Sequence, residues 1–263
     1  VVVHYVLTVT DWPQHLGSGD LMNVVARGVC IYYNRDGEIL DIFWGANRGM
    51  DLESTGKTLS YIVDSYAGTV ERWIFGVKTD GMNGKFHCFQ GMGEWRTSTR
   101  ILERHEVCRA MHVFETQLMR VMQKQLEEDP AFMDGMVFEC EIHTDEIVDE
   151  KGDHKSGENY PEAAAFIGVV DSTGMFDTNL GTYVVEEMGL ATSRIVDGVL
   201  LWAIKWHTLT TGDTKKLFAI AFEDYPSESK ALVPEGIVVM PVFECGHAIV
   251  GPKPKQDDWK QLS

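Results

Sequence analysis

The chain has 263 residues, 44% of them hydrophobic and 24% charged, which is typical of a globular protein with a sizeable core and excludes a chain dominated by membrane spans. Its formal net charge of −17 excludes a uniformly basic surface, so a polynucleotide would have to dock on a local basic patch. The five cysteines are scattered without a Cys-x-x-Cys pair, and no basic leader opens the sequence, so we expect free thiols and a cytoplasmic protein without a membrane segment.

The first hundred residues are predicted to form strands joined by turns. The clearest hairpin has Asn34-Arg-Asp-Gly37 as its turn, because Asn and Gly tolerate the backbone that tight turns require. A second hairpin is predicted around the turn Asp80-Gly81. The predicted strands in this part cover residues 1–9, 24–33, 38–44, 73–77 and 85–89.

Residues 100–126 give the strongest helix prediction, because their apolar residues recur at helical spacing. These apolar residues are Val107, Met111, Phe114, Leu118, Val121 and Met122. Asp129-Pro130 ends the helix. A polar loop at 149–160 and a turn at 171–174 follow, and a second helix is expected within 178–198. The later strands are predicted at 136–142, 164–170, 199–206, 217–222, 236–240 and 248–250.

This order of elements predicts an α+β fold with mainly antiparallel sheets and one long helix. No linker is apparent in the sequence. We therefore expect one domain over residues 1–263, with a strand-rich N-terminal part at 1–72, the candidate motifs within 73–255 and a tail at 256–263.

The most informative motif is Lys78-Thr-Asp-Gly81, which follows an apolar strand. A lysine amine attacks a phosphate only when it is neutral, whereas a free lysine has a pKa of about 10.4. Lowering that pKa to near 7 costs about 4 kcal/mol, which burial and neighbouring cations can supply. The motif is typical of a lysine that carries a nucleotide as a phosphoramide, but the same residues also fit a plain hairpin with an exposed lysine.

Further candidates accompany this motif in an order that is more specific than any one of them. Ala26-Arg27-Gly28 precedes the first hairpin, Phe138-Glu139 lies in a predicted strand, Pro234-Glu-Gly-Ile-Val-Val239 begins another, and Lys253 and Lys255 come last. In this order the sequence resembles the adenylyltransferase domain of the covalent nucleotidyltransferase superfamily, which implies that fold. Within the superfamily it looks most like the RNA ligase 1 family of tailed phages, which includes the ligase domain of fungal tRNA ligases.

The resemblance implies a role for each position. Lys78 would be the nucleophile, Glu139 would bind the nucleotide sugar, and Glu235 would contact the nucleotide and hold a divalent metal ion. Glu141 shares a predicted strand face with Glu139 and competes with it for the sugar. The other implied nucleotide contacts are Asp80, Gly81, Arg27, Arg96 and Arg100, with Lys253 and Lys255 as catalytic cations at the phosphates.

The activity implied is ATP-dependent RNA ligation through a lysyl-AMP intermediate. The cofactors would be ATP and Mg²⁺ or Mn²⁺, and the partners would be RNA 5′-phosphate and 3′-hydroxyl ends. Met82 after the lysine motif and Pro254 between the last two lysines depart from the family pattern. A DNA ligase, an mRNA guanylyltransferase and a non-catalytic protein of the same fold therefore stay open as alternatives.

Two further features bear on the substrate. Arg96, Arg100, Arg104 and Arg109 form a basic cluster and are the expected RNA-binding surface, with Arg96 in the loop that leaves the second predicted hairpin. Lys205-Trp206-His207 resembles the Lys-Trp-Lys motif of capping enzymes, but it stands before the Glu-Gly motif rather than after it. We expect the tryptophans and phenylalanines of the chain in the core rather than in a stacking platform for bases.

Overall fold

The computed structural model describes residues 2–4, 30–43, 45–46, 58–65, 68–89, 92–97, 108–143, 162–210, 216–223, 225–226, 234–251 and 253. Within these ranges the chain forms two β-sheets and four α-helices.

A three-stranded antiparallel sheet comes first in the chain. It consists of β1 (Val2–His4), β2 (Cys30–Tyr33) and β3 (Ile39–Phe43). The Asn34 side-chain oxygen holds the turn between β2 and β3, because it accepts two backbone N–H bonds at 2.9 Å. Gly37 has a φ of 85°, which lies in the left-handed region that glycine favours. The first predicted hairpin is therefore confirmed over these residues.

A larger sheet has eleven strands. They are β4 (Arg72–Lys78), β5 (Met82–Phe89), β6 (Met92–Thr97), β7 (Val137–His143), β8 (Ala163–Val170), β9 (Phe176–Asp177), β10 (Arg194–Val196), β11 (Val199–Ala203), β12 (His207–Thr208), β13 (Gly236–Val242) and β14 (His247–Ala248). The main path runs β12-β4-β13-β14-β9-β8-β7-β5-β6, and β11 and β10 branch from β8. Among these strand pairs β8–β11 alone is parallel, so the predicted mainly antiparallel α+β fold is confirmed.

Four helices are described, and none of these is long and apolar enough to cross a bilayer. They are α1 (Leu59–Ser65), α2 (Arg109–Glu128), α3 (Thr178–Glu187) and α4 (Leu217–Glu223). The long helix and the second helix predicted within 178–198 are confirmed as α2 and α3. The predicted start of the long helix, at residues 100–107, lies outside the described residues.

Side-chain alternation along the strands divides the interior into three clusters. Phe138 and Ile142 of β7 pack with the apolar face of α2 in the largest cluster. Phe75 and Val77 of β4 pack with Leu217 of α4 in the second. The third cluster takes residues from β3 and from six consecutive strands of the larger sheet, β4, β13, β14, β9, β8 and β7, so it packs the small sheet against the middle of the larger one.

Two local predictions are wrong. Residues 217–222 are predicted as a strand but form α4, because a short apolar run does not distinguish a strand from a buried helix. Leu217 and Ala221, one helical turn apart, are the buried residues of α4. Arg96 is predicted in a loop, but it lies within β6.

The strands on either side of Lys78-Thr-Asp-Gly81 are not paired with each other, so the second predicted hairpin is also wrong. β4 pairs with β12 and β13, whereas β5 pairs with β6 and β7. An Asp-Gly turn fixes the local chain direction but not the partner of the strand that follows. We call β4, β12 and β13 the lysine wall and β5, β6 and β7 the carboxylate wall, because the turn carries the chain from one to the other.

Gly76 on the lysine wall and Gly181 in α3 offer a matched pair of substitutions. A Cβ at position 76 would lie 2.8 Å from Ile204 Cγ2 and 3.0 Å from the Trp206 ring, whereas a Cβ at position 181 would meet nothing closer than 3.9 Å. We expect Gly76→Ala to lower the free energy of unfolding by about 1–3 kcal/mol through overpacking. Gly181→Ala should raise it by about 0.5–1 kcal/mol through helix propensity. Urea unfolding of both variants measures the two signs, and equal effects would contradict the packing of Trp206 on Gly76.

Candidate functional site

Lys78 and Glu235 meet at one end of the lysine wall because β4 and β13 pair in a fixed register. Gly236 lies opposite Lys78, and the Glu235 backbone N–H donates to the Lys78 carbonyl at 2.9 Å. The Glu235 carboxylate forms an ion pair with the Lys78 amine. Both side chains stay about one-third exposed, so the pair faces an open space rather than the core.

Lys253 reaches the same end of the sheet on the other side of β13. The chain beyond β14 continues alongside β13, because the Gly251 N–H donates to the Val239 carbonyl at 2.9 Å. A Cβ at Gly251 would lie 2.4 Å from that carbonyl oxygen, so this close approach requires glycine. Lysines 78 and 253 therefore flank the start of β13 from its two neighbours.

The carboxylate wall brings Glu139 and Glu141 to the same space. Residues 137, 139, 141 and 143 of β7 point to one face of the sheet, while residues 138, 140 and 142 pack with α2. On the neighbouring strand, Lys85 lies directly opposite Glu139 and Asn83 directly opposite Glu141. Polar side chains from two strands thus form a cross-strand patch on one face of the wall.

Glu139 is buried, with 4% of its surface exposed, and its carboxylate is held by three groups. Oε1 accepts the Ala46 backbone N–H at 2.6 Å and lies 3.9 Å from the Lys85 amine. Oε2 accepts a longer hydrogen bond from the Asn83 amide at 3.4 Å. These groups offset the cost of keeping a carboxylate away from water.

Glu141 and His143 pack against the turn that follows Lys78. The Gly81 N–H donates to Glu141, and the Asp80 carbonyl accepts from the His143 ring. Burial raises the pKa of Glu141 to about 7, against the opposing attraction of Lys78 and Lys253. Burial lowers the pKa of His143 to about 4, so this imidazole is neutral at physiological pH.

Gly81 is required by this contact. A Cβ at position 81 would lie 2.7 Å from the Ile142 carbonyl oxygen and 2.9 Å from the side chains of Glu141 and His143. The sequence suggests that Gly81 makes room for a nucleotide. Although Gly81 borders the cavity, the space that a side chain would take is already filled by β7.

The two walls enclose a cavity of about 310 Å³, at the small end of the range for ligand sites. Its charged and amide lining residues are Lys78, Asn83, Lys85, Glu139, Glu141 and Lys253. Along the lysine wall the lining becomes apolar, because Val238 and Met240 form it there. These two residues of β13 lie opposite Gly76 and Ile74 of β4. Trp206 also lines this apolar part, and its indole N–H donates to the Ile167 carbonyl at 3.1 Å.

Several residues singled out in the sequence meet in this cavity. Lys78, Gly81, Glu139 and Lys253 line it, and Glu235 joins it through its contact with Lys78. Asp80 lies in the adjoining turn, close enough to Glu141 to raise its pKa.

Two of the arginines singled out in the sequence, Arg96 and Arg109, lie within the described residues. The backbone of Arg96 lies opposite Lys85, in the strand at the edge of the carboxylate wall. Arg109 is exposed and donates to the Asp197 carbonyl. Arg27, Arg100, Arg104 and Lys255 lie outside the described residues.

Sequence reasoning missed three lining residues. Lys85 and Asn83 are polar and two positions apart in a strand whose intervening residues are apolar or glycine. That alternation was the available signal, because it marks a strand face that turns away from the core. Trp206 packs half-buried against two of the core clusters, as predicted, and its side chain also borders the cavity.

The site fits a divalent cation that is held jointly with phosphate groups. Among the described residues no cluster of three or more His, Cys, Asp or Glu could hold a metal ion by itself. Mg²⁺ usually takes one or two carboxylates and completes its shell with water and substrate phosphates. The Glu235 carboxylate beside Lys78 supplies the kind of oxygen ligand that this arrangement needs.

Comparisons with known proteins bear on the fold. No family model and no curated protein matches the chain. Among solved structures, it is similar to form 2 of an archaeal ATP-dependent RNA ligase, with a TM-score of 0.52 and 12% identity over 88% of this chain and 52% of that one. It is also similar to a putative ATP-dependent DNA ligase from Aquifex aeolicus, with a TM-score of 0.50 and 13% identity over 88% of this chain and 53% of that one.

The chain therefore shares the fold of these two ligases, which is the fold that the resemblance implies. It spans about half the length of each of these two ligases. The closer likeness to the RNA ligase 1 family stays a prediction.

The raised pKa of Glu141 predicts a pH-dependent stability. The folded protein binds the Glu141 proton more tightly than the unfolded chain does. Protonated Glu141 therefore makes its full contribution to the free energy of unfolding below about pH 4.5, and this contribution is lost as the pH rises through about 7. Glu141→Gln keeps position 141 neutral at every pH. The free energy of unfolding of the variant should therefore rise relative to that of the parent by about 1–3 kcal/mol between pH 5 and pH 8. Unfolding free energies at the two pH values measure the gain, and Glu186→Gln on the exposed surface of α3 is the control. A constant difference between parent and Glu141→Gln would contradict the desolvation of the Glu141 carboxylate, whose side chain is partly buried.

Proposed function

We propose that this protein is an ATP-dependent polynucleotide ligase that acts on RNA through a covalent lysyl-AMP intermediate on Lys78. The observation that carries the proposal is the contact between Lys78 and Glu235 at the mouth of a cavity that Glu139, Glu141 and Lys253 also line. A plain hairpin with an exposed lysine does not account for this convergence, because these residues come from four separate parts of the chain.

In the first step the Lys78 amine attacks the α-phosphorus of ATP. A nitrogen–phosphorus bond forms, the bond to pyrophosphate breaks, and the amine loses its proton. The ion pair with Glu235 and the nearby Glu141 offer carboxylates toward which that proton can leave. Lys253 would stabilise the negative charge that develops on the phosphate oxygens, and a divalent cation bound with Glu235 would add positive charge there.

The change in the cavity lining suggests how ATP lies. With the α-phosphate at Lys78, the sugar would face Glu139 and the base would extend toward the apolar part at Trp206 and Val238. Carboxylate oxygens accept hydrogen bonds from sugar hydroxyls, and aromatic rings stack on bases. This orientation uses the polar patch and the apolar lining together.

The later steps follow from the same chemistry. The AMP would pass from Lys78 to the 5′-phosphate of one strand, and a 3′-hydroxyl would then attack that phosphate and release AMP. Proximity and charge stabilisation suffice for both displacements. The choice of RNA rests on the likeness of the motifs to the RNA ligase 1 family, and the alternatives are DNA ends or a GTP-dependent guanylyl transfer.

The covalent step can be tested with labelled nucleotides. The parent protein, incubated with α-labelled ATP and Mg²⁺, should carry the label through a denaturing gel, and mass spectrometry should locate AMP on Lys78. Lys78→Ala should lose the label completely, because it removes the amine that the proposal makes the nucleophile. Lys124→Ala, which removes an exposed lysine of α2, should label like the parent.

Three outcomes would contradict the proposal in different ways. Full labelling of Lys78→Ala would show that a residue other than Lys78 is the nucleophile. Labelling by GTP and not ATP would favour the guanylyltransferase. A parent that takes no label from either nucleotide would favour the non-catalytic protein.

The RNA-binding surface can be tested at Arg100 and Arg104, which stand at helical spacing from each other in the sequence. Replacing both with Gln should weaken strand joining while leaving the label on Lys78, unless Arg100 also binds ATP. Each lost phosphate contact should reduce the slope of log affinity against log salt by about 0.7 for a single strand. Salt titrations of RNA binding measure that slope, and Arg120→Gln on the exposed face of α2 is the control. An unchanged slope in the double variant would show that RNA docks elsewhere.

A further inference from the structure

Lys85 is a buried cation that the proposed chemistry does not use. It has 3% of its surface exposed, yet it lines the cavity together with Lys78. Burying an ammonium group is costly unless an opposite charge and hydrogen bonds stabilise it. A lysine at such a position must therefore be stabilised by neighbouring groups.

The register of the carboxylate wall pairs Lys85 with Glu139. The two residues lie directly opposite each other on antiparallel β5 and β7, where cross-strand side chains approach most closely. Their charged atoms are 3.9 Å apart, a separation that is too long for a hydrogen bond but short enough for strong attraction in a buried site. Lys85 therefore acts on Glu139 mainly through its charge.

The contacts of Glu139 are unequal between its two oxygens. Oε1 lies nearest the Lys85 amine and accepts the short hydrogen bond from the Ala46 N–H at 2.6 Å. Oε2 has a 3.4 Å hydrogen bond from Asn83, which is long and correspondingly weak. The carboxylate is thus anchored by one oxygen, and the other keeps the greater capacity to accept a hydrogen bond from a ligand in the cavity.

We propose that Lys85 is a positioning residue that holds the Glu139 carboxylate turned so that Oε2 accepts a ribose hydroxyl, and that this pair selects ribonucleotides over 2′-deoxyribonucleotides. The inference rests on the proposed function, because it assigns the sugar of ATP to this part of the cavity. A ribose offers two adjacent hydroxyl donors to a carboxylate, whereas a 2′-deoxyribose offers one fewer. Loss of one hydrogen bond to a charged acceptor costs roughly tenfold or more in selectivity.

The test compares ATP with 2′-deoxyATP in the full chain. The ratio of kcat/KM for the two nucleotides is measured from the rate of covalent labelling, and the ratio of their Kd values is measured by calorimetry. The variants are Lys85→Met, Glu139→Gln, the double variant and Lys85→Arg. The double variant removes both buried charges, so it guards against misfolding caused by one unpaired charge.

The proposal predicts that the parent prefers ATP and that Lys85→Met and Glu139→Gln reduce this preference to a similar extent, by roughly tenfold. The double variant should lose no more than either single variant, since Lys85 acts through Glu139. Lys85→Arg, which keeps the charge, should retain most of the preference. A purely structural role would lower stability without changing the ratio.

Other outcomes overturn the inference. A parent without preference for ATP over 2′-deoxyATP would show that Lys85 and Glu139 do not distinguish the two sugars. A Lys85→Met variant with unchanged ratios of kcat/KM and Kd for the two nucleotides would show the same. An equal loss for both nucleotides would show that Lys85 contacts the phosphates instead. If no label forms but calorimetry still gives a Lys85-dependent preference for ribose, the ligase proposal fails while the inference about the sugar stands.

Discussion

The site depends on the close approach of the Thr79–Gly81 turn to the end of β7. No side chain fits at position 81, because β7 backbone and side-chain atoms occupy the space within 3 Å of where a Cβ would lie. The strand that ends in Lys78 is thereby held against the strand that carries Glu139 and Glu141. Since β4 and β5 pair with different neighbours, this turn is the covalent link between the two walls of the cavity.

Strand register supplies the rest of the geometry. Pairing of β13 with β4 sets Glu235 beside Lys78, and the strand-like path after β14 brings Lys253 to the opposite side of β13. A slip by one residue would turn each of these side chains to the other face of the sheet. The apolar clusters on the outer faces of both walls oppose such a slip, so core packing and site geometry are stabilised together.

The sequence predicted what local chemistry determines and missed what long-range pairing decides. Lys78 stood out because a strand end and an Asp-Gly turn are recognisable without a partner. Lys85 did not, because its importance comes from Glu139, which lies 54 residues later in the sequence and becomes its neighbour through the register of β5 and β7. The false hairpin at Asp80-Gly81 has the same origin, since nothing within the turn reveals that β4 prefers β13. Residues 217–222 show the converse limit, because their apolar run suits a buried helix as well as a strand.

The charges of the described site largely cancel, so the site by itself offers a triphosphate little positive charge. Three lysines, 78, 85 and 253, meet three glutamates, 139, 141 and 235, so the described side chains nearly neutralise one another. Lys85 and Lys78 each already face a carboxylate, which leaves little positive charge for phosphates. A nucleoside triphosphate adds several negative charges, and oxygen-rich surroundings favour a divalent cation as their counterion. In a site of this kind the metal would serve binding as much as catalysis, because the three lysines and three glutamates of the described site leave no excess of positive charge.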